Sequence, residues 1–192
     1  MQLQNLKTKF LGRNNIYYKE IDSTQKEIWR LSEKSQTENG TLVMADIQTN
    51  GIGTHGRIWH TDEENNIAFS FLVKPQCNIK NLDGITLEIA ETIVEIFKTK
   101  YQIDIDIKKP NDLIINNKKV GGILTETKLV AQQVKFLAIG IGINTKKEKF
   151  TEDIKNIATS IKKEFNINIS TQEFISEFCN KFEEKLIKRI GN

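Results

Sequence analysis

Apolar residues recur along this chain with two periods, and the alternation between them outlines the elements. Residues 16–21 are rich in β-type side chains and predict a strand. Ser23 and Thr24 then form a helix start, with Glu27 three positions after Thr24 as in a capping box and Ile28, Leu31 and Trp29 on the buried stripe. Asn39-Gly40 closes that unit. Residues 41–48 predict a second strand, 49–65 a polar, glycine-rich loop, and 67–73 a third strand. Ile85, Ile89, Ile93, Ile96 and Phe97 fall at helical spacing and predict an amphipathic helix over 82–101. Short strands at 105–108 and 113–115 flank Pro110, and Asn116-Asn117 has the turn chemistry to join the latter to a strand at 120–127. Residues 134–143 are apolar enough for a strand buried on both faces. Helices are expected over 154–163 and 171–189, the last capped by Ser170 or Thr171 and carrying Phe174, Phe178, Phe182 and Leu186 at steps of four. Strands alternating with helices, plus a hairpin, predict an α/β or α+β domain with a mixed sheet.

Composition narrows the class without supplying chemistry. The chain has 192 residues, 28 Lys or Arg and 25 Asp or Glu, a formal charge of +3. That length fits one domain with a real core. A charge of +3 makes no case for nucleic acid. No stretch approaches the roughly 18 uninterrupted apolar residues of a membrane span, and residues 1–5 lack a signal-peptide core, so the expected location is the cytoplasm. Cys77 and Cys179 make neither a disulfide framework nor a zinc site. His55 and His60 read as loop residues.

Three clusters carry candidate chemistry. Gly51-Ile52-Gly53-Thr54-His55-Gly56-Arg57 matches the spacing of a dinucleotide fingerprint, but no helix pattern follows it, and a P-loop would need Lys and Ser or Thr where Arg57 and Ile58 stand. What remains is either a surface loop or a run of free backbone N–H groups beside a guanidinium, suited to an anion. Lys108-Lys109-Pro110-Asn111-Asp112 places cations, an amide and a carboxylate around a turn. Seven residues on, Lys119 precedes Val120-Gly121-Gly122, and paired glycines in a strand mark a bulge or a ligand lying against the backbone. Gly140-Ile141-Gly142-Ile143-Asn144 ends the buried strand with two more small residues and an amide.

In this order the clusters resemble the biotin protein ligase family. Ser23-Thr24-Gln25 resembles its Ser-Thr-Asn segment, Gln48-Thr49-Asn50-Gly51 its Q-x-x-G, Gly56-Arg57-Ile58-Trp59 the end of its glycine-rich loop, and Lys119 to Leu124 its K-V-G-G-I-L. The resemblance covers about residues 18–144. It implies an α+β fold, like that of class II aminoacyl-tRNA synthetases, with a mixed sheet flanked by helices. It also implies a two-step reaction: biotin and ATP give biotinyl-5′-AMP, with Mg²⁺ expected through the ATP phosphates, and biotin then passes to a lysine of a biotin carboxyl carrier protein. A lipoate or octanoate ligase of the same fold, or a non-catalytic biotin-binding domain, is the alternative.

The resemblance assigns roles residue by residue. Lys119, Arg57 and Asp112 would be catalytic, the cations meeting carboxylate and phosphate and Asp112 positioning the incoming ammonium. Ser23, Thr24, Gln25, Gln48, Gly51, Gly53, Gly56, Arg57, Trp59, Lys119, Gly121 and Gly122 would line the biotin site, although Ser23 and Thr24 equally serve as helix caps. Arg57, Asn111, Lys119 and Asn144 would hold ATP and the adenylate, with no metal ligand supplied by the protein. The family loop G-R-G-R-x-G-R-x-W is altered here: Ile52 and Thr54 replace its first two arginines, and Lys109 replaces the Trp of K-W-P-N-D. Aligned by motif, residues 1–192 are expected to be a single catalytic domain without an N-terminal helix-turn-helix or a C-terminal SH3-like barrel, with a homodimer possible and no nucleic-acid or membrane partner.

Overall fold

Seven consecutive buried residues, apolar but for Ser70, form an inner strand of the sheet, as a run with so little polarity demands. In this computed structural model, which describes residues 3–61 and 66–191, the elements run β1 (Asn15–Ile21), α1 (Thr24–Ser32), β2 (Thr41–Ile52), β3 (Ile58–Thr61), β4 (Ile67–Val73), α2 (Ile85–Ile96), β5 (Asp106–Lys108), β6 (Asp112–Ile115), β7 (Lys118–Val130), β8 (Gln133–Ile143), α3 (Ile161–Phe165) and α4 (Thr171–Ile190). Residues 1–2, read above for a leader, and 62–65, the end of the expected loop, lie outside the described residues. Among the described residues there is one eight-stranded sheet, ordered β1-β2-β4-β8-β7-β6-β5, with β3 paired to β2. β1 and β2 run parallel and the remaining pairs antiparallel, so the sheet is mixed as expected.

Alternation along the strands sorts side chains onto two faces. Leu42, Met44, Phe69, Phe71, Leu137 and Ile139 face α2 and α4 in the larger core, where Phe178 stacks on Phe71 and Phe182 with ring centroids 6.0 and 5.2 Å apart. Val43, Leu72, Phe136 and Ala138 face the other way, against Ile28 and Leu31 of α1. The four residues at steps of four on α4 are fully buried, and Ser170 caps that helix as expected. The end of the larger core is tied to the N-terminal segment by Glu183, whose carboxylate accepts the backbone N–H groups of Lys9, Phe10 and Leu11 at 2.6–2.8 Å.

Several elements differ from expectation. Residues 49–52 continue β2 and turn through Thr54–Gly56 into β3, so the expected loop over 49–65 is largely a hairpin. Its polar, glycine-rich sequence hid the pairing, because Gly51 must approach the Trp59 backbone too closely for any side chain. The helix expected over 154–163 is instead irregular until α3 at Ile161–Phe165, since Ala158 bridges Lys119 as a strand would. The helix over 82–101 splits into α2 and a wider turn at Phe97–Tyr101. The cap of α1 is Ser23 alone, and Glu27 accepts from Tyr18 and Arg30 rather than closing a capping box. Asn116 and Asn117 both take positive φ, 49° and 61°, as the expected tight turn requires.

Candidate active site

The site grows out of the face that carries α1. Along β8 that face reads Phe136, Ala138, Gly140, Gly142, and the side chains shrink to nothing where α1 begins. Across the ladders Gly140 lies opposite Ser70 of β4 and Leu124 of β7, and Gly142 opposite Ala68 and Gly122. The result is a shallow floor of small residues beneath the N-terminus of α1, the β2–β3 hairpin and Lys119. The cavity on this floor is lined by Thr24, Gln25, Gln48, Gly53, Trp59, Asn111, Lys119 and Gly122. All eight were singled out from the sequence. Its open volume is only ≈ 40 Å³ because Trp59 lies across it, its Nε1 2.6 Å from where a Cβ of Gly142 would stand.

A second cavity, ≈ 170 Å³, shares Gly53, Thr54, Trp59 and Lys119 with the first and continues past Arg57 and Asn144 to His60, Lys147 and Phe150. Arg57 is exposed at its rim. Lys119 therefore stands on the wall common to both cavities. Its Nζ is 2.6 Å from Asp112 Oδ1 and 5.8 Å from the centre of the Trp59 ring. Gly122 makes room for this reach, since a Cβ there would stand 3.3 Å from the same Nζ. The Lys119 backbone is fixed on its outer side: its N–H donates to Ile157 O at 2.7 Å and its carbonyl accepts from Thr159 N–H at 2.9 Å.

The remaining candidates occupy supporting positions. Ser23 caps α1 by accepting from Lys26 N–H, outside the cavity lining. Preceding it, Asp22 is pushed up by burial, yet the Ser23 N–H and the Arg30 guanidinium hold it below the usual carboxylate range. Gln48 accepts from Thr24 N–H at 2.8 Å and donates to Thr61 Oγ1 at 3.1 Å, so it holds the helix start to the β2–β3 hairpin. Asn111 donates to Ile123 O at 3.2 Å and reaches Thr54 Oγ1 at 3.5 Å. Asn144 lines the second cavity with its amide donated to Thr159 O at 3.1 Å. Gly51, Gly56 and Gly121 shape the backbone without lining either cavity: Gly56 takes φ +72° at the hairpin tip, and Gly121 packs 2.9 Å from Gly142 O at its virtual Cβ.

Sequence reasoning missed Ser70, whose hydroxyl lies 2.9 Å from Thr24 Oγ1, and Glu126, which accepts from Gln25 Nε2 at 2.8 Å. It also missed Lys147 and Phe150, stacked with Nζ 5.6 Å from the ring centre. They lie in a run of lysines that reads as a solvated loop; only its place just after Asn144 could have drawn attention.

A mixed sheet whose central strands carry glycines thus faces paired cavities joined at a lysine, and comparison with known proteins assigns this arrangement to a family. Residues 17–144 match the biotin/lipoate A/B protein ligase family, and the chain belongs to that family. Over 182 residues it is 37% identical to the bifunctional ligase/repressor BirA of Bacillus spizizenii, and 36% identical to that of Bacillus subtilis, each alignment covering 94% of this chain and 56% of the relative. The chain thus spans a little over half the length of these curated relatives. The biotin protein ligase of Aquifex aeolicus, solved in complex with biotin and ATP, superposes with a TM-score of 0.71 at 33% identity, over 90% of this chain and 73% of that one. Among the described residues no helix is long and apolar enough to cross a membrane.

Proposed function

We propose that the chain activates biotin with ATP and transfers it to a lysine of a biotin carboxyl carrier protein. The observation that carries this reading is the position of Lys119 on the shared wall, where a carboxylate in the first cavity and the α-phosphate of a nucleotide in the second would meet. In the first step a biotin carboxylate oxygen attacks the α-phosphorus, an O–P bond forms, the bond to the β-phosphate oxygen breaks, and pyrophosphate leaves with the electron pair. Two anions must approach, so Lys119, with Arg57 at the rim, lowers the barrier by neutralising charge. In the second step the carrier amine attacks the acyl carbon, a C–N bond forms, and AMP departs as the C–O bond breaks. Asp112, beside Lys119, would hold the incoming ammonium and receive its proton.

Mg²⁺ belongs to this reading through ATP. Among the described residues no group of three or more His, Cys, Asp or Glu could hold a metal ion. In this reading a hard cation bound chiefly by phosphate oxygens and water would supply charge neutralisation.

Pyrophosphate exchange into ATP, run separately with biotin, lipoate and octanoate, tests the proposal. We expect exchange with biotin. Exchange with lipoate or octanoate alone would move the chain to the other branch of its family, and no exchange with any of the three would leave a binding domain.

A further inference from the structure

The wall of the first cavity holds a carbonyl oxygen with nothing to accept. Gln25 is 3% exposed and its Oε1 is buried without a hydrogen-bond partner. The atom stands 2.6 Å from where a Cβ of Gly140 would be, so it is pressed into the space that glycine leaves open. Its orientation is not free. Nε2 of the same amide donates to Glu126 Oε2 at 2.8 Å, and a carboxylate only accepts, so the amide cannot turn over without setting two acceptors against each other. Glu126 is fixed in turn by Trp29, whose Nε1 donates to the same oxygen at 2.9 Å. The register explains the meeting: Glu126 lies opposite Ala138, and Leu124, next on that face, lies opposite Gly140.

A buried carbonyl without a donor is costly, and a ligand that brings an N–H recovers the loss. We propose that Glu126 is a positioning residue that holds Gln25 Oε1 as the acceptor for a ureido N–H of the substrate, and that this pair selects a cyclic urea over a dithiolane or an alkyl chain. The inference rests on the biotin reading and deepens it. Dithiolane and alkyl acids have no N–H, so they leave the oxygen unpaired, and a site built to bond a polar group rejects analogues lacking it far more strongly than one that measures size. The extra methylene that Gln25 has over asparagine is what lets one amide span from Glu126 to Gly140.

The test is pyrophosphate exchange with biotin, desthiobiotin and the two N-methylated biotins. Desthiobiotin, which keeps both N–H groups, should behave like biotin within a few-fold. One of the two methylations should raise the wild-type KM about tenfold or more, and the same methylation should change KM less than about threefold in Gln25→Leu. Glu126→Ala should raise the biotin KM about tenfold with kcat within about twofold, while Glu126→Gln, whose amide oxygen still accepts from Gln25 and Trp29, should recover most of it. Thermal melting of each variant checks that it folds, and Gln25→Met stands in if Gln25→Leu does not. An unchanged KM in Glu126→Ala, equal damage in Glu126→Ala and Glu126→Gln, or a methylation penalty that persists in both Gln25 variants would overturn the proposal. Wild-type exchange with lipoate and not with biotin would remove the reading beneath it, which is a separate result.

Discussion

Lys119 Nζ and Asp112 Oδ1 lie 2.6 Å apart, joined across the β6–β7 ladder with Asp112 opposite Gly122 rather than opposite Lys119. The lysine reaches three residues along its own strand, over the glycine, to meet the carboxylate. Both side chains are about a quarter to a third exposed, at 32% and 23%, so the pair adds little to stability. What it does is hold an ammonium at the wall between the two cavities.

The two residues should separate the half-reactions. Lys119→Ala removes charge needed by both steps, and we expect kcat for pyrophosphate exchange to fall by about 10²–10³. Asp112→Asn keeps the shape but cannot take a proton, so exchange should stay within several-fold of wild type while transfer to the carrier slows by about 10² or more. Single-turnover transfer from preformed adenylate measures the second step alone. Equal losses in both steps for Asp112→Asn would deny the carboxylate its role with the amine.

The composition of the glycine-rich hairpin predicts loose retention of the proposed adenylate. Ile52 and Thr54 stand where relatives of this loop type have arginines, and Thr54 lines both cavities. Fewer charge-assisted bonds to the phosphate should speed release of biotinyl-AMP. We expect Thr54→Arg to lengthen the half-life of the bound adenylate by about tenfold, read by displacement of labelled adenylate. A half-life unchanged by the new guanidinium would show that the hairpin does not set the release rate.

Much of this was legible in the sequence, for identifiable reasons. Strong periodicity placed β4 and α4 to the residue or nearly so, because each buries a continuous face that nothing else on the chain could cover. Eight cavity residues were found because glycines, a lysine and side-chain amides at fixed spacing carry chemistry in their types. The β2–β3 hairpin escaped because its short ladder, Gln48 to Thr61, Gly51 to Trp59 and Ile52 to Ile58, carries no sustained apolar alternation. Glu126 escaped for a different reason: it sits on an exposed strand end, where a carboxylate looks like solvated surface, and only the ladder brings it to Gln25. Ser23 showed the limit of type-based reading, since a hydroxyl that caps a helix and one that binds a ligand look the same in sequence.

Glu183 gives a stability test away from the chemistry. Its carboxylate is 5% exposed and accepts three successive backbone N–H groups from residues 9–11. In Glu183→Ala those donors lose their partner inside the protein, at about 1–3 kcal/mol for each that water cannot reach. We expect a fall of about 3 kcal/mol or more, read as a drop in Tm of about 6–12 °C in a chain of this size, with KM for biotin unchanged. A drop under about 2 °C would mean that water replaces the clamp.

Glu164 links acid stability to the segment that holds Lys119. Its carboxylate accepts from the Thr159 hydroxyl and from Asn116 Nδ2, the latter at 2.7 Å, and so ties the β6–β7 turn to the segment that pairs with the Lys119 backbone. The Thr159 hydroxyl, above all, then the Asn116 amide and nearby Lys118 and Lys163, hold this carboxyl below its ordinary value of 4.5 against the opposing pull of partial burial. A carboxylate whose pKa is lower folded than unfolded stabilises the protein fully above the unfolded value, and that stabilisation is lost as pH falls through the folded one. The wild-type advantage over Glu164→Gln should therefore be constant above about pH 5.5 and shrink steadily toward about pH 3. Melting temperatures of both proteins across that range measure it. Because the clamp holds the Lys119 backbone, exchange at neutral pH should also fall a few-fold in Glu164→Gln; a gap in Tm that stays level to pH 3 would place the depressed ionisation elsewhere.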